Sequence, residues 1–531
     1  MATRRPHILA IDLGTTALKV AVVTTSGETV AHETDGYPLH VLPGGGAEQD
    51  PADWWAAIER AVTRLLGRGE VPLESIVAVG ATAHWSGTVP VDAAGQPLRR
   101  AIIWMDTRGV PYVRKITGGP FRISGYGLDK LWHWVRKTAG IPTHSGKDSI
   151  AHVLWLKHQE PETYRAAYKL MEPKDFLNLR LTGRFAASYD SITLHWVSDN
   201  RDLARVRYDE TLLKLAGLER EKLPDLRSSV AVLGPLRPEI AAAWGLPDGI
   251  PVVVGSPDLH TAAVGSGATR DYQPHIYVGT SSWVTCHVPF KRTDLIHNMA
   301  TLPSAIPGRY FVANEQETAG ACLQFLCDNV LFHPDELGPG RSPDNAFELF
   351  DRVAATAPAG SGGVIFTPWL VGERTPVEDP FVRGGFHNLS LGTRRPHLLR
   401  AVLEGVAYNA RWLLEAVEAF VRRRLDPIRI IGGGAKSGLW CQIFADVLGR
   451  TIEQVRDPAL AGVRGAAILA AVSIGATTFD AVPDQVAIAG AYRPNPLHRE
   501  AYAELFREFV RLYHNNRGSY ARLNRPRHPT G

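Results

Sequence analysis

Two short segments set a glycine and hydroxyl side chains at the end of an apolar run. The first is Asp12-Leu13-Gly14-Thr15-Thr16, lying between Ile8–Leu13 and the apolar stretch from Ala17 to Val23. The second is Tyr277-Val278-Gly279-Thr280-Ser281-Ser282, lying between Ile276 and the stretch from Trp283 to Val288. A glycine turn that carries hydroxyls can offer backbone N–H and O–H groups to phosphate oxygens. Asp12 adds a carboxylate, which can hold Mg²⁺ while the ion keeps much of its water. Tyr277 stands in the second segment where Asp12 stands in the first. One such turn is as readily an ordinary tight hairpin. Two of them with a single carboxylate suit a site that grips a polyphosphate from two sides and needs one metal ligand. A third segment, Ile430-Ile431-Gly432-Gly433-Gly434-Ala435-Lys436-Ser437, follows an apolar strand with more glycine than a strand-to-helix turn requires. Glycines there let backbone pass close to a flat ligand.

These segments need strands and helices to hold them. The opening pattern reads as strand, turn, strand, with a third strand near Val30 after Ser26-Gly27. Asp50-Pro51 starts a helix through Trp54, Trp55, Ile58, Val62 and Leu65, which recur at helical spacing. Ile76–Val79, Ile102–Trp104 and Ile250–Val254 read as strands. A long helix is expected over Pro396–Val421, a strand over Arg429–Ile431, and a helix starting near Ser437. The stretch from Val113 to Ser149 has weak periodicity and reads as an irregular loop with one short helix, about Leu131 to Lys137. Pro358–Gly363 reads as a surface loop. The strand-turn-strand device occurs once in each half, which suggests two related lobes.

Composition bounds the class. The chain has 531 residues, more than one core usually serves, so at least two domains are expected. Hydrophobic residues make up 45% and charged residues 21%, and the net charge is only +4, from 58 basic and 54 acidic side chains. That balance argues against nucleic acid or an anionic membrane as partner. Cys286, Cys322, Cys327 and Cys441 form no close pair, so a zinc site or disulfide framework is not expected, and scattered thiols suit a reducing compartment. The apolar run behind Arg4 and Arg5 is broken by Asp12, too short for a signal segment. The cytoplasm is therefore the expected location. The basic tail, Arg517 to Arg527, reads as a solvated terminus.

Taken in order, these segments resemble the FGGY carbohydrate kinases, especially the xylulokinase branch. Glu48-Gln49-Asp50-Pro51-Ala52-Asp53-Trp54-Trp55, Trp104-Met105-Asp106-Thr107-Arg108, Pro173-Lys174-Asp175-Phe176-Leu177, Leu181-Thr182-Gly183 and Gly372-Glu373-Arg374-Thr375-Pro376 all look like motifs of that family. The resemblance runs from about residue 8 to about residue 475. It implies an α/β, two-lobed actin-like (ribonuclease H-like) fold with a central cleft. Its parts would be an N-terminal sugar-binding and catalytic-base lobe over 1–265, a nucleotide-binding lobe over 266–485, and a C-terminal helix and tail over 486–531. It further implies ATP and Mg²⁺ as cofactors and a small sugar or polyol as acceptor. Asp258, in Gly255-Ser256-Pro257-Asp258-Leu259, matches the family's general base. The plainer role for Asp258 is capping a helix. Asp12 would hold the metal. Gly14, Thr15, Thr16, Lys19, Gly279, Thr280, Ser281, Gly433, Gly434, Ala435 and Ser437 would hold the nucleotide.

The sequence departs from the xylulokinase pattern near the sugar. Gly80-Ala81-Thr82-Ala83-His84-Trp85-Ser86-Gly87 stands where that branch has G-Q-M-H-G, and two registers fit. In the preferred one, His84, Trp85 and Ser86 face the sugar together with Asp106 and Asp258. The other register matches His84 to that branch's His and leaves two extra residues before Val91-Asp92, and the plainer reading of the segment makes His84 and Trp85 core residues. Leu259 replaces an Asn beside the base, and a pocket that loses a hydrogen-bonding side chain changes its discrimination. His152 stands where a Lys is usual. The 113–149 stretch, with Trp132, His133, Trp134, Arg136 and Lys137, would cap the sugar or build a homodimer contact. These departures leave open which ketose, polyol or sugar acid is used. A silent sugar sensor or scaffold, and an actin-like ATPase acting on a protein client, are the competing readings. The presence of both Asp12 and Asp258 weighs against the first, and Trp104 to Arg108 weighs against the second.

Overall fold

The computed structural model describes residues 5–525 except Ser124 and Leu337. Two sheets organise it. The first contains β1 (His7–Leu13), β2 (Ala17–Thr24), β3 (Thr29–Gly36), β4 (Ile76–Ala83), β5 (Val232–Pro235) and β6 (Pro251–Val253), in the order β5-β6-β4-β1-β2-β3. The second contains β7 (His275–Val278), β8 (Ser282–Thr285), β9 (Ile428–Ile431), β10 (Ile452–Val455) and β11 (Ile488–Tyr492), in the order β8-β7-β9-β10-β11.

Five strands of each sheet match in order, and β3 extends the first sheet by one. Each opens with an antiparallel hairpin, β1–β2 or β7–β8. The first strand of each hairpin then pairs in parallel with β4 or β9, and those with β6 or β10. An antiparallel edge strand, β5 or β11, closes each. The buried strands are rich in β-branched and small residues, as strands covered on both faces should be. The repeat suggested by two glycine turns is thus a repeat of whole sheets.

The strands β6 and β10 each feed a helix. These are α6 (Asp258–Gly265) and α9 (Ala461–Ser473), counting the helices used below as α1 (Pro51–Gly67), α2 (Val110–Thr117), α3 (Leu128–Thr138), α4 (Ser149–Gln159), α5 (Pro173–Thr182), α6, α7 (Arg395–Val421), α8 (Gly438–Leu448), α9 and α10 (Arg499–Asn524). Helices α6 and α9 cross between the sheets. A Cβ on Gly265 would strike the Ala461 carbonyl, and a Cβ on Gly465 would strike the Thr261 carbonyl. The reciprocal pair lets two backbones approach as no other residue would. One side of α9, with Val463, Ala466, Ala467 and Ala470, packs on Ile8, Ala10, Ala21 and Ala78 of the first sheet. Its other side, with Ile468 and Leu469, joins Ile431 and Val455 of the second. The remaining face of the second sheet is covered by α7, α8 and α10, with Tyr408, Phe444, Tyr502 and Phe509 buried.

Several local expectations are met. Asp50 caps α1 by accepting the Ala52 N–H at 2.9 Å, and Ser437 caps α8 by accepting the Trp440 N–H at 2.9 Å. Others are corrected. In residues 113–149 the short helix expected over Leu131–Lys137 is α3, but the rest is not an irregular loop: α2 ends there, a small two-stranded ribbon joins it to α3, and α4 begins at Ser149. The glycines between them hide the helical period. The ribbon and α3 leave Phe121, Ile123 and Trp132 exposed. Strand character beyond Ile102 is not found either, because Trp104 already lies in a turn. Within Pro358–Gly363, Ser361 is buried and donates to Glu404 at 2.7 Å, so that stretch is anchored and not a free surface loop. The basic tail, read as a solvated terminus, is helical as far as Asn524 in α10 with no buried residue from Arg517 to Arg525, and residues 526–527 lie outside the described residues. Among the described residues, no helix is long and apolar enough to cross a membrane.

Candidate active site

The first turn is fixed by side chains drawn from the surrounding motifs. The Tyr37 hydroxyl donates to the Gly14 carbonyl, and Gln49 Nε2 donates to the Thr15 carbonyl at 2.6 Å. Trp104 Nε1 donates to Thr15 Oγ1 at 2.9 Å. Gly14 N–H closes the turn on the Ala17 carbonyl at 3.1 Å. Thr16 at its tip is exposed, and Lys19 sits opposite Asp12 across the hairpin. In the second turn, Gly279 N–H meets the Ser281 carbonyl at 3.0 Å, and Thr280 is exposed. The three-glycine segment leaves β9, the neighbour of β7, so it lies beside this second turn. A Cβ on Gly432, at φ 95°, would strike the Val278 carbonyl. Gly433 is exposed with open space where a side chain would be. Gly434 packs on Val278 and Trp440, Ala435 is buried, and Ser437 serves as the α8 cap.

Asp258 opens α6 directly after β6. The loop before it is tied down from three directions. Lys174 and Asn178 of α5 donate to the Val254 carbonyl at 3.0 and 2.6 Å, and Thr82 Oγ1 donates to the Ser256 carbonyl at 2.8 Å. Ser256 donates to Asp190. The Asp258 carboxylate accepts the Leu259 N–H at 2.8 Å and the Trp85 backbone N–H. Burial first, then the charge of Asp12, with a further push from Glu315, raises its pKa to about 7. Asp12 is itself raised by burial, with Lys19 pulling it back. Tyr277, stacked on Trp283 at 3.9 Å, is raised by burial and by the charges of Asp258 and Asp12. Asp12, Asp258 and Tyr277 therefore share one electrostatic environment.

The other sequence candidates divide. Trp85 lies edge-on to His260 at 5.1 Å and donates its ring N–H to the Ser191 carbonyl at 2.9 Å. Ser86 donates to the Lys147 carbonyl at 2.5 Å. His84 is 2% exposed, packs edge-on to Trp54 at 5.6 Å, and has Nδ1 3.3 Å from the Leu13 carbonyl. Burial lowers its pKa to about 4, so it is neutral. His84 Nδ1, Trp85 Nε1 and Ser86 Oγ thus face protein carbonyls, while His84 Nε2 is buried without a hydrogen-bond partner among the described residues. Asp106 is 1% exposed and accepts from the Ala47 N–H at 3.0 Å, from the Arg108 N–H at 2.9 Å and from Arg108 Nε at 2.8 Å. It shapes the turn that presents Trp104 and is not open to a ligand. Leu259 is partly buried and packs against two apolar clusters, the one that contains Trp85 and the one that contains Trp283.

Sequence reasoning passed over a network that spans the two halves. Lys147 Nζ lies 3.1 Å from Glu317 and 5.7 Å from the centre of the Trp104 ring. Arg374 donates to Glu317 from Nε at 3.0 Å and from Nη2 at 2.8 Å, and to Glu315 from Nη1. Glu373 steadies both arms by accepting the Glu317 N–H at 3.1 Å and the Arg374 N–H at 2.8 Å. Arg374 lay within a recognised motif. Lys147, Glu315 and Glu317 carried no local signal, since their partners are distant along the chain. Among the described residues, no group of three or more His, Cys, Asp or Glu is arranged to hold a metal by itself.

Comparison with known proteins gives the family. The model for the FGGY family of carbohydrate kinases, N-terminal domain, matches residues 7–265, and that for its C-terminal domain matches 275–474. The chain is 30% identical to the xylulose kinase of Escherichia coli K12, over 95% of this chain and 98% of that one. It is 26% identical to the gluconokinase of Bacillus subtilis, over 95% of each. The solved gluconate kinase of Lactobacillus acidophilus superposes with a TM-score of 0.84 at 24% identity, over 98% of this chain and 100% of that one, a likeness that shows the two-lobed fold. Matched by both family models across nearly its whole length, the chain belongs to the FGGY family of carbohydrate kinases.

Proposed function

We propose that this kinase transfers the γ-phosphoryl group of Mg²⁺–ATP to a hydroxyl of a small polyhydroxylated acceptor, with Asp258 as general base. The acceptor class comprises ketoses such as D-xylulose, polyols and sugar acids. The observation that carries the reading is Asp258 itself. It is a rigidly held carboxylate with a pKa near 7, at the start of α6, in the same field as Asp12. A base whose pKa sits near the working pH removes a proton most effectively.

The residues present fit the donor. Gly433 leaves open space beside a strand exit, and the turns at Gly14–Thr16 and Gly279–Ser281 expose Thr16 and Thr280 at their tips. We assign Gly433, Gly434, Ala435 and Ser437 to the nucleoside and the two turns, with Lys19, to the phosphates. A carboxyl that burial pushes toward neutrality beside such turns gains most from a cation, so Asp12 is assigned to Mg²⁺. The bound donor supplies an electrophilic phosphorus and a metal that neutralises its charge. The chain's own task is positioning and proton transfer. Asp258 takes the proton of the acceptor hydroxyl, and the Leu259 and Trp85 N–H groups hold its carboxylate in the accepting orientation. Trp85 and Trp104 wall the acceptor. Free, buried thiols at all four cysteines suit the cytoplasm, where ATP is plentiful.

Replacing Asp258 with Asn tests the base. Phosphorylation should fall by roughly a thousandfold while ATP binding, followed by calorimetry, is retained. Turnover within a few-fold of the parent protein would exclude Asp258 from that role.

A further inference from the structure

The network of Lys147, Glu317, Arg374 and Glu315 bears on which acceptor is taken, an inference that rests on the kinase reading above. It borders the acceptor side of the site at both ends. Lys147 holds Ser86 through its carbonyl, next to the Trp85 N–H that orients Asp258, and its ammonium reaches the ring of Trp104. Glu315, at the other end, is close enough to Asp258 for the two charges to interact.

Neither cation in this network is free. Arg374 donates to both Glu317 and Glu315, and Lys147 pairs with Glu317. Arg108, the next cation along the Trp104 turn, is bound to Asp106 and Glu48. Lys174, under the base loop, is buried on Asp175, Ser188 and the Val254 carbonyl. The acids are in excess. Asp148 and Glu378 also lie within the field of Arg374, and Asp258 lies within that of Glu315. A sugar acid would bring another carboxylate into this surplus. It would have to displace Glu315 or Glu317 from Arg374, or stand beside them with no counter-charge, and like charges brought together in a desolvated site repel strongly. Hydroxyl groups meet no such conflict. They can donate to the outer lone pairs of the paired carboxylates and accept from N–H groups left over on Arg374 and Lys147.

We propose that the acceptor is a neutral polyhydroxy compound, a ketose or polyol, and that Glu315 and Glu317 exclude sugar acids by keeping Arg374 and Lys147 paired. The two glutamates then act as specificity-determining residues, with Asp258 unchanged as the base.

The test is an ATP-coupled assay of the full chain at saturating Mg²⁺–ATP. The acceptors are D-xylulose, D-ribulose, xylitol and D-arabitol against D-gluconate and D-xylonate. At least one neutral compound should be phosphorylated with a kcat/KM roughly a hundredfold above either acid. In Glu317→Gln, which leaves Lys147 without its partner carboxylate, that ratio should narrow about tenfold. A sugar acid used as well as every neutral compound would overturn the inference and leave the kinase reading intact. An unchanged ratio in a folded, active Glu317→Gln protein would overturn the role given to the network. If that variant does not fold, the ratio measured on the parent chain still decides the acceptor class. Phosphorylation of none of the six would overturn the kinase reading, and this inference with it.

Discussion

Asp258 and Asp12 are two carboxyls that burial pushes toward the neutral form, Asp258 further by the charge of Asp12. For Asp258 this has a kinetic and a thermodynamic consequence. A base with a pKa near 7 is half protonated at neutrality. The acceptor kcat/KM should therefore rise through a single ionisation near pH 7, and a profile flat between about pH 5.5 and 8 would contradict the assignment. In the fold the neutral acid is the favoured form, so stability is lost as pH rises from the unfolded value of about 4 toward 7. Asp258→Asn removes that loss. Thermal or denaturant unfolding should show the variant more stable than the parent by a few kcal/mol at about pH 8, and nearly equal to it at about pH 4. The network of Lys147, Glu317 and Arg374 belongs to the same scale and explains why residue types alone were an incomplete guide. Lys147 and Glu317 are 170 positions apart, and nothing in either neighbourhood announces the other. Asp106 shows the opposite error. Its motif marked it as important, but its importance lies in holding Arg108 and the Ala47 backbone.

At the scale of elements, glycines divide into those that the fold needs and those that a ligand would need. Gly265 and Gly465 let α6 and α9 cross with their backbones in contact. Gly465→Val should destabilise the protein by roughly 3 kcal/mol in denaturant unfolding, because the new side chain meets a main-chain carbonyl that has nowhere to go. Gly433 is exposed, sits at φ −62°, and faces open space. Gly433→Ala should leave stability within about 0.5 kcal/mol of the parent and raise the KM for ATP roughly tenfold. Equal KM values would show that the nucleotide does not pass over this segment. The hairpins, α1, α7 and α8 were legible in the sequence because each has an apolar period and a clear punctuating residue, such as Asp50 or Ser437. Helix α2 was not, and of α3 only the part from Leu131 to Lys137 was. Only Val113 and Thr117 of α2, and Trp134 and Thr138 of α3, are buried, so their stripe is too narrow to stand out between Gly118, Gly119, Gly125 and Gly127. The crossing of α6 and α9 was also hidden, since a Gly in a short apolar helix looks unremarkable until its partner is known.

The whole molecule is two copies of one sheet plan joined through crossed helices, with direct bonds between the halves at the rim. Lys291 donates to the Val135 and Arg136 carbonyls at 2.8 and 2.7 Å, Tyr310 to the Asn200 carbonyl at 2.9 Å, and Lys147 to Glu317. A kinase must keep water from the phosphoryl group it transfers, and halves hinged at a helix crossing can do so by closing. Small-angle scattering should show a smaller radius of gyration when an ATP analogue and a good acceptor are both bound than with neither, and equal radii would argue against closure. Because β1 and β6 both run parallel to β4, Asp12 near the end of β1 and Asp258 at the start of the helix after β6 lie toward the same end of the first sheet, which is why one site can use both. A crystal structure with Mg²⁺, a non-hydrolysable ATP analogue and a phosphorylatable acceptor would decide whether they do. It should show the metal with Asp12 in its shell, directly or through water, the phosphates between the Gly14 and Gly279 turns, and an acceptor hydroxyl within hydrogen-bond reach of Asp258. Phosphates bound elsewhere, or an acceptor with no hydroxyl near Asp258, would contradict it.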